Sequence, residues 1–311
     1  MSDFDLNSLI DLDVCVLNAL DLFADPRTVF PRPNLARFKR PLVVGSGNAI
    51  ATGKIIFDDK DAVLADEGTF QNKLDAVGDI DGVALFSASG GKHAPIIAEA
   101  VKPKGLPVVL FTSNPSSMAK DYVDEAYVFP SLPEPYTYNT STYMGMMMAG
   151  LLDDPKAEAA KIRAYIKDVI DPTLAAYDKK PGDFEAYYLL VPEQFELIRI
   201  MFATKFVELF GRRVARDVFT WEQSKHATTV VDAPSELFIA FGRENDSFGT
   251  DRLNIPLPEN CSYPAIMAIG YYVIGKIQAQ KPAWFKQGVG PFVERASKLF
   301  GQTIKPLVEF K

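Results

Sequence analysis

The sequence predicts an α/β protein built from two tandem doubly wound parallel-sheet units. The first observation is that short apolar runs alternate with helical segments from residue 41 onward, which indicates buried parallel strands joined by crossover helices. The second is that the same alternation recurs in shortened form after about residue 185, so the second unit is expected to be degenerate. An N-terminal helix precedes the two units, and a divergent helical C-terminal tail follows them.

The first half of the chain carries the clearer strand pattern. Its apolar runs predict strands over 42–44, 62–65, 83–86, 107–111 and 126–129. Helices are expected to about Phe57 and over 94–102. Apolar residues at helical spacing predict a further helix over 3–24, and the prolines that follow it indicate a connecting arm. We therefore expect an N-terminal helix and arm over 1–40 and a first unit over 41–180.

The second half is predicted to be more helical. Strands are expected over 187–191, 214–219, 237–241 and 253–257. The last of these should lie at an edge of its sheet, because Pro256 cannot donate a ladder hydrogen bond. Helices are expected over 140–152, 155–177, 193–210, 262–279 and 288–301. A second unit with the C-terminal tail is therefore expected over 181–311.

Composition excludes several classes of protein. The 311 residues carry a net charge of −7, whereas a general nucleic-acid binder is usually basic, so no nucleic-acid partner is expected. Only two cysteines are present, which excludes a disulfide framework and a cysteine-rich zinc site. The N-terminus lacks the pattern of a signal peptide, and no apolar stretch is long enough to span a membrane. We therefore expect a cytoplasmic protein with no membrane partner.

The segment from Ser87 to Gly91 is the most informative of the chain. A buried strand delivers two serines and two glycines directly to the start of a helix. Glycines let the backbone approach a ligand closely, and a helix N-terminus offers unpaired N–H groups and a partial positive charge. This arrangement is typical of a phosphate-binding loop. The alternative is an ordinary strand–helix turn in which serine only caps the helix.

These residues are also the ones through which the chain resembles the sugar isomerase (SIS) domain. Ser87-x-Ser89-Gly90 is similar to the phosphate loop of that family, and Thr112-Ser113-Asn114-Pro115-x-Ser117 is similar to the T-S/N-x-x-S pattern in which its next strand ends. Gly45-Ser46-Gly47-Asn48 is similar to the first glycine loop, and Thr140–Tyr143 to an A-S-T-K segment. The resemblance is closest to double-SIS proteins, namely the isomerase half of glucosamine-6-phosphate synthase and fructosamine-phosphate deglycases.

The resemblance implies a set of substrate-binding residues. A phosphate group would be held by the two loops, and sugar hydroxyls by the start of the helix near residue 140. The implied residues are Ser46, Gly47, Asn48, Ser87, Ala88, Ser89, Gly90, Lys92, Ser141 and Thr142. Lys92 stands where the family often has threonine, and it could pair with phosphate or face solvent. The second unit has Phe241-Gly242-Arg243-Glu244 in place of a phosphate loop, so one phosphate site per chain is expected.

The same resemblance implies the catalytic residues. Lys205-x-x-Glu208 is similar to the family's K-x-x-E helix, whose glutamate transfers the proton. Glu222-x-x-Lys225-His226 is similar to a segment whose histidine opens the sugar ring, although Ala227-Thr228 replaces Gly-Pro. The spacing from Glu208 to His226 is two residues longer than expected, which leaves Glu222 as an alternative base. A Lys–Glu pair at this spacing could also be an exposed helix-surface pair.

These roles are chemically consistent with aldose–ketose isomerisation of a hexose-6-phosphate type substrate through an enediol. One carboxylate suffices if burial raises its pKa, and Lys205 could hold it ionised or polarise the carbonyl. The chemistry needs no metal or other cofactor. In the family the ring-opening histidine often comes from a neighbouring subunit, which implies a homodimer. A fructosamine-6-phosphate deglycase and a non-catalytic phosphosugar sensor are the alternatives.

Two further features stay open at the level of sequence. His93, the second histidine of the chain, could contact phosphate or lie on the helix surface. The C-terminal tail is aromatic and lysine-rich, and we expect it to carry the determinants of substrate identity. In the resembled synthase a lysine in this tail closes the site, and Lys286 and Lys305 are the two candidates here.

Overall fold

A computed structural model describes residues 5–91, 93–228, 230–231 and 233–310. The first unit contains a five-stranded parallel sheet with the order β2-β1-β3-β4-β5. Its strands are β1 (Pro41–Val44), β2 (Val63–Ala65), β3 (Gly82–Phe86), β4 (Val108–Thr112) and β5 (Glu125–Val128). All five predicted strands are therefore confirmed.

The two faces of this sheet belong to different hydrophobic cores. Alternate residues of β1 show the division, because Val43 packs in the main core while Leu42 and Val44 pack in a smaller one. Helices α2 (Asn48–Ile56), α3 (Phe70–Ala76) and α4 (His93–Val101) connect the strands. Burial on both faces explains why the sequence shows unbroken apolar runs here rather than an alternation of apolar and polar residues.

The second unit contains a four-stranded parallel sheet with the order β10-β9-β7-β8. Its strands are β7 (Ala186–Val191), β8 (Ala215–Thr220), β9 (Glu236–Phe241) and β10 (Asp251–Ile255). Counted along the chain, both sheets place their strands in the order second, first, third, fourth. Among the described residues the second sheet lacks a fifth strand, which confirms the predicted degenerate repeat. The predicted edge position of the strand before Pro256 is also confirmed.

Eight further helices of the described residues pack between and around the sheets. They are α1 (Leu12–Ala24), α5 (Thr140–Leu151), α6 (Pro155–Tyr165), α7 (Asp171–Ala176), α8 (Arg199–Phe210), α9 (Trp221–Ala227), α10 (Tyr263–Gln280) and α11 (Trp284–Phe300). Helix α5 is almost wholly buried, and its methionine run packs in the main core. The same core takes one face of each sheet. Apolar residues on all sides of a helix are typical of such a central position.

Several boundaries differ from the sequence prediction. The helix predicted over 155–177 is divided by a π-helical turn at Ile166–Ile170, just before Pro172, which cannot donate a helical hydrogen bond. The helix predicted from Glu193 begins with a 3₁₀ segment, Glu193–Ile198, before α8. The tail also forms a short strand, β11 (Leu307–Val308), which pairs antiparallel with β6 (Glu134–Pro135). In the described residues, every helix is too short or too polar to cross a membrane.

Candidate functional site

A cavity opens at the carboxyl ends of β1 and β3, which are neighbours in the first sheet. The chain leaves these two strands in opposite directions along the sheet, and ligands of open α/β sheets bind at such a switch point. The cavity has a volume of about 630 Å³. It is lined by two strand–helix loops, by the segment before α5 and by the C-terminal tail.

The loop after β3 lies against the loop after β4. The carbonyl oxygens of Ala88, Ser89 and Gly90 accept hydrogen bonds of 2.9 Å from side chains of the neighbouring loop. Those donors are the side chains of Thr112, Asn114 and Ser117. Ser87, Ala88, Ser89 and Gly91 line the cavity. Carbonyl oxygens would repel an anion, and these three are bound to donors of the neighbouring loop.

Gly90 permits this close packing. Its φ is +56°, and a Cβ atom at this position would lie 1.9 Å from Ser117 Oγ. The Gly90 amide in turn donates to Ser87 Oγ over 3.1 Å. Helix α4 begins at His93, which lines the cavity, whereas Lys92 lies outside the described residues. The helix start is thus placed beside the loop, as predicted.

The glycine loop after β1 forms the adjacent wall. Gly45 and Ser46 line the cavity, and the Ser46 hydroxyl donates to the carboxylate of Glu67, which also lines it. Gly47 adopts a φ of +54°. Asn48 is buried, and its side-chain amide donates to the Tyr271 hydroxyl over 3.4 Å. Within the described chain, neither Gly47, which is exposed, nor Asn48 lines the cavity.

Lys205 and Glu208 form a buried ion pair on α8. The Lys205 Nζ atom lies 2.6 Å from Glu208 Oε2 and also donates to the carbonyl oxygens of Thr137 and Tyr138, over 2.7 and 2.8 Å. The Lys205 side chain is 0% exposed and that of Glu208 is 21% exposed. Burial raises the pKa of Glu208 above the usual value for glutamate, and the charge of Lys205 opposes this rise.

The ion pair lies directly behind the cavity wall. Thr137 and Tyr138, which accept from Lys205, are the two residues between Tyr136 and Asn139, and both of these line the cavity. The negative charge of Glu208 also contributes, after burial, to the raised pKa of Tyr136. Among the described residues, Glu208 does not itself line the cavity.

The start of α5 is organised by a buried carboxylate that the sequence did not single out. Glu134 accepts hydrogen bonds from the amides of Thr140 and Ser141 over 2.6 and 2.7 Å. Burial raises the pKa of Glu134, and these amide hydrogen bonds oppose the rise. Ser141 Oγ accepts from the Leu132 amide over 3.0 Å. Both Ser141 and Thr142 are buried, and in the described part of the chain Asn139 and Tyr143 line the cavity instead.

His226 and Glu222 lie on α9 in the second unit, and both are exposed. The Glu222 carboxylate accepts from Lys225 over 2.6 Å, which lowers the pKa of Glu222. Of the described residues of this chain, those of α9 contribute nothing to the wall of the cavity. The structure therefore places Lys205 and Glu208 behind the wall of the cavity that the Ser87–Gly91 loop lines, but leaves His226 of the same chain elsewhere.

The C-terminal tail contributes a large share of the cavity wall, which sequence reasoning did not foresee in detail. The lining residues of the tail are Phe300, Gln302, Thr303, Ile304, Lys305, Leu307, Val308, Glu309 and Phe310. The Tyr136 amide donates to the Pro306 carbonyl over 2.7 Å beside the β6–β11 pair. Of the two candidate lysines, Lys305 lines the cavity, whereas Lys286 forms an ion pair with Asp11.

A search of the described residues for clusters of histidine, cysteine, aspartate or glutamate that could hold a metal ion finds none. No protein-family model matches the sequence, and no curated protein sequence matches it either.

Solved structures of low sequence identity share the fold. Glucosamine-6-phosphate deaminase from Thermotoga maritima matches with a TM-score of 0.63 and 15% identity, covering 86% of this chain and 92% of that one. Tagatose-6-phosphate ketose/aldose isomerase from Escherichia coli matches with a TM-score of 0.59 and 14% identity, covering 88% and 89%.

The C-terminal domain of glucosamine-fructose-6-phosphate aminotransferase from Francisella tularensis matches with a TM-score of 0.58 and 13% identity, covering 86% of this chain and 93% of that one. Such similarities concern the fold alone. The resemblance to the sugar isomerase domain predicted from the motifs is therefore confirmed for the fold, and the chain has the architecture of these sugar-phosphate proteins.

Proposed function

We propose that the protein is a sugar-phosphate isomerase that interconverts the aldose and ketose forms of a hexose-6-phosphate type substrate. One observation carries this proposal. The Ser87–Gly91 loop and the segment from Tyr136 to Tyr143, which binds Lys205, line the same cavity. The proposed anion-binding loop thus lines this cavity, and the partly buried Glu208 carboxylate, whose pKa is raised, lies behind the part of the wall that this segment forms. The similar structures are named for proteins of phosphorylated sugars, which agrees with this assignment.

In this proposal the phosphate group is bound by the two loops at the carboxyl ends of β1 and β3. Ser87 and Ser89 supply hydroxyl donors, and backbone amides around Gly47 and Gly90 supply the rest. Ser46 supplies a further hydroxyl donor only by giving up its hydrogen bond to Glu67. Asn48, Ala88 and Lys92 belong to the same two loops and complete the predicted phosphate site. Ser141 and Thr142 remain predicted contacts for the sugar hydroxyls.

Glu208 is the proposed base. Isomerisation moves a proton between C1 and C2 through an enediol, and a partly buried carboxylate of raised pKa is suited to accept and return it. Lys205 is a positioning residue in this scheme, because its ammonium group is bound to Glu208 and to two carbonyl oxygens. The lysine thereby fixes the orientation of the carboxylate relative to the wall of the cavity.

His226 is the proposed ring-opening residue, and we propose that it is supplied by a second copy of the chain. The exposed position of His226 on α9, away from the cavity of its own chain, supports this arrangement. A histidine can exchange a ring-oxygen proton near neutral pH. The functional protein would then be a homodimer.

The test uses fructose 6-phosphate as substrate and follows its conversion to an aldose phosphate by NMR. We expect Glu208→Gln to lower kcat by about 10²- to 10⁴-fold, while calorimetric affinity for fructose 6-phosphate changes by less than about threefold, a shift well below the 1.4 kcal/mol of a tenfold change. Glu222→Gln is the matched control, because Glu222 is exposed and was the alternative base. Loss of turnover in the control but not in Glu208→Gln would transfer the role to Glu222. Absence of binding by the unmodified protein would refute the proposed function.

One observation favours a deglycase as a second candidate. Five of the nine described tail residues that line the cavity are apolar, among them Phe300, Ile304 and Phe310, and Lys305 lies among these residues. Pockets of about 300–1,000 Å³ enclose drug-sized ligands, which are larger than a hexose phosphate. A cavity of about 630 Å³ therefore has space for an amino-acid substituent on a phosphorylated fructosamine.

Two substrates distinguish the isomerase from the deglycase. A deglycase releases free amino acid from a 6-phosphofructosyl amino acid and leaves fructose 6-phosphate unchanged, and this result would exclude the isomerase. A non-catalytic sensor would bind either phosphorylated sugar without turnover, and Glu208→Gln would alter nothing that can be measured.

A further inference from the structure

The proposed proton transfer needs a hydrogen-bond donor close to Glu208. When a base removes a proton from the carbon beside a carbonyl group, negative charge develops on the carbonyl oxygen. Donors that are already fixed in a water-poor site stabilise this charge, and loss of one such donor lowers kcat by about 10²- to 10³-fold. The following inference rests on the proposed function and identifies the donor.

Lys205 is unsuited to this task although it is the nearest cation to Glu208. An ammonium group has three N–H donors. All three are used, because Lys205 donates to the carbonyl oxygens of Thr137 and Tyr138 and to Glu208. The side chain is also fully buried. A substrate oxygen could bind Lys205 only by displacing one of these partners.

Tyr143 has the required position. It lies in the first turn of α5, lines the cavity together with Ser87 and Ser89, and is only 7% exposed. Its amide donates to the carbonyl oxygen of Asn139, which also lines the cavity. Tyr143 is therefore held in the cavity wall next to the segment whose carbonyl oxygens bind Lys205.

The electrostatic surroundings keep this phenol protonated. Burial raises the pKa of Tyr143, and the negative charge of Glu208 raises it further. A neutral phenol can donate a hydrogen bond throughout the physiological pH range. Tyr271 also lies near Glu208, but it is behind the wall and its hydroxyl accepts from Asn48.

We propose that Tyr143 is a catalytic residue whose hydroxyl group donates a hydrogen bond to the substrate's carbonyl oxygen during proton transfer by Glu208. The Glu208 carboxylate takes the proton from the carbon beside the carbonyl group, and the electron pair of that C–H bond forms the C=C bond of the enediol. The carbonyl π electrons move to the oxygen, where Tyr143 stabilises them. Glu208 then returns the proton to the former carbonyl carbon. The neighbouring hydroxyl group loses its proton as it becomes the new carbonyl group, and the former carbonyl oxygen takes up a proton in its place, so no oxidant or reductant is needed.

The test measures exchange of the C1 hydrogens of fructose 6-phosphate with D₂O by NMR, which reports enediol formation directly. We expect Tyr143→Phe to slow exchange by about 10²- to 10³-fold, with calorimetric affinity for fructose 6-phosphate changed by less than about threefold. Tyr165→Phe, on α6, is the matched control and should exchange at the unmodified rate. Tyr136→Phe is measured in parallel, because Tyr136 also lines the cavity.

The outcomes separate this inference from the proposed function. If the unmodified protein neither binds fructose 6-phosphate nor exchanges its hydrogens, the proposed function fails. If the unmodified protein exchanges and Tyr143→Phe exchanges equally fast, or only Tyr136→Phe is impaired, the function stands and the assignment of Tyr143 is overturned. Should Tyr143→Phe fail to fold, Tyr143→Met is the second non-donating variant, and exchange at the unmodified rate would likewise overturn the assignment.

Discussion

Lys205 Nζ lies 2.6 Å from Glu208 Oε2, and the same i,i+3 spacing places Lys225 Nζ 2.6 Å from Glu222 Oε1. The two pairs differ in burial. The Lys205 and Glu208 side chains are 0% and 21% exposed, whereas those of Lys225 and Glu222 are 54% and 63% exposed. Burial gives the first pair a raised carboxylate pKa and additional hydrogen bonds to the backbone before α5.

The buried pair should therefore contribute much more to stability than the exposed one. We expect Lys205→Met to lower the free energy of unfolding by about 3 kcal/mol or more, because it leaves a partly buried carboxylate and two carbonyl oxygens without their donor. Lys225→Met should have little effect, because water screens the exposed pair. Denaturant unfolding of both variants provides the measurement, and equal losses would contradict the structure.

The acid limb of the pH profile should depend on Lys205. Burial raises the pKa of Glu208 and Lys205 opposes the rise, so removing the lysine raises this pKa further. A base acts only when ionised, so kcat/KM should fall at a higher pH in Lys205→Gln than in the unmodified protein. A shift of this limb toward lower pH, in a variant that still binds fructose 6-phosphate, would contradict the assignment of Glu208.

Gly90 should be intolerant of a side chain. In Gly90→Ala the new Cβ would lie 1.9 Å from Ser117 Oγ at a positive φ, so we expect a loss of stability and of phosphate affinity together. Gly105→Ala is the matched control, because its φ is +66° and no atom lies within 4 Å of the new Cβ. The control should lose only about 1–2 kcal/mol from its backbone conformation. Thermal unfolding and calorimetry with inorganic phosphate distinguish the two, and equal phosphate affinity in both variants would refute a role for the loop.

Lys305 should strengthen binding of a phosphorylated sugar, because it is a cation in the cavity wall. We expect Lys305→Met to weaken affinity for fructose 6-phosphate by about two- to fivefold, as exposed ion pairs contribute about 0.2–1 kcal/mol. Lys298→Met, on the exposed side of α11, removes the same charge outside the cavity. Calorimetry at two salt concentrations measures the affinity of both variants for fructose 6-phosphate. An equal loss of affinity in both would show that the net charge of the protein, rather than the position of Lys305, determines this contribution.

Two inactive variants should restore activity together if the proposed dimer supplies His226 to the partner's cavity. In a heterodimer of Glu208→Gln and His226→Ala subunits, one site carries both substitutions and the other carries neither. Random pairing should therefore recover about a quarter of the unmodified activity, since half of the dimers form and each has one intact site. Activity no higher than that of either variant alone would contradict the shared site.

The strands and helices could be predicted from the sequence because each one has its own short pattern of apolar residues. Buried parallel strands require unbroken apolar runs, and all five runs of the first half form strands of one sheet. The Ser87–Gly91 loop was identifiable because its small residues follow such a run. The pairing of β6 with β11 could not be predicted, because strands of two residues show no periodicity and the two strands lie far apart in the chain.

The candidate site divides in the same way. Residue types and spacing by themselves determined the strand–helix order and the phosphate-loop candidate, and the resemblance to the sugar isomerase domain pointed to the Lys205–Glu208 motif. Only the tertiary structure decided which of the two Lys–Glu pairs is buried, and that Tyr143 and the tail, rather than Ser141 and Thr142, line the cavity. The physical reason is that burial and the direction of a side chain depend on contacts between segments distant in sequence, which local patterns do not encode.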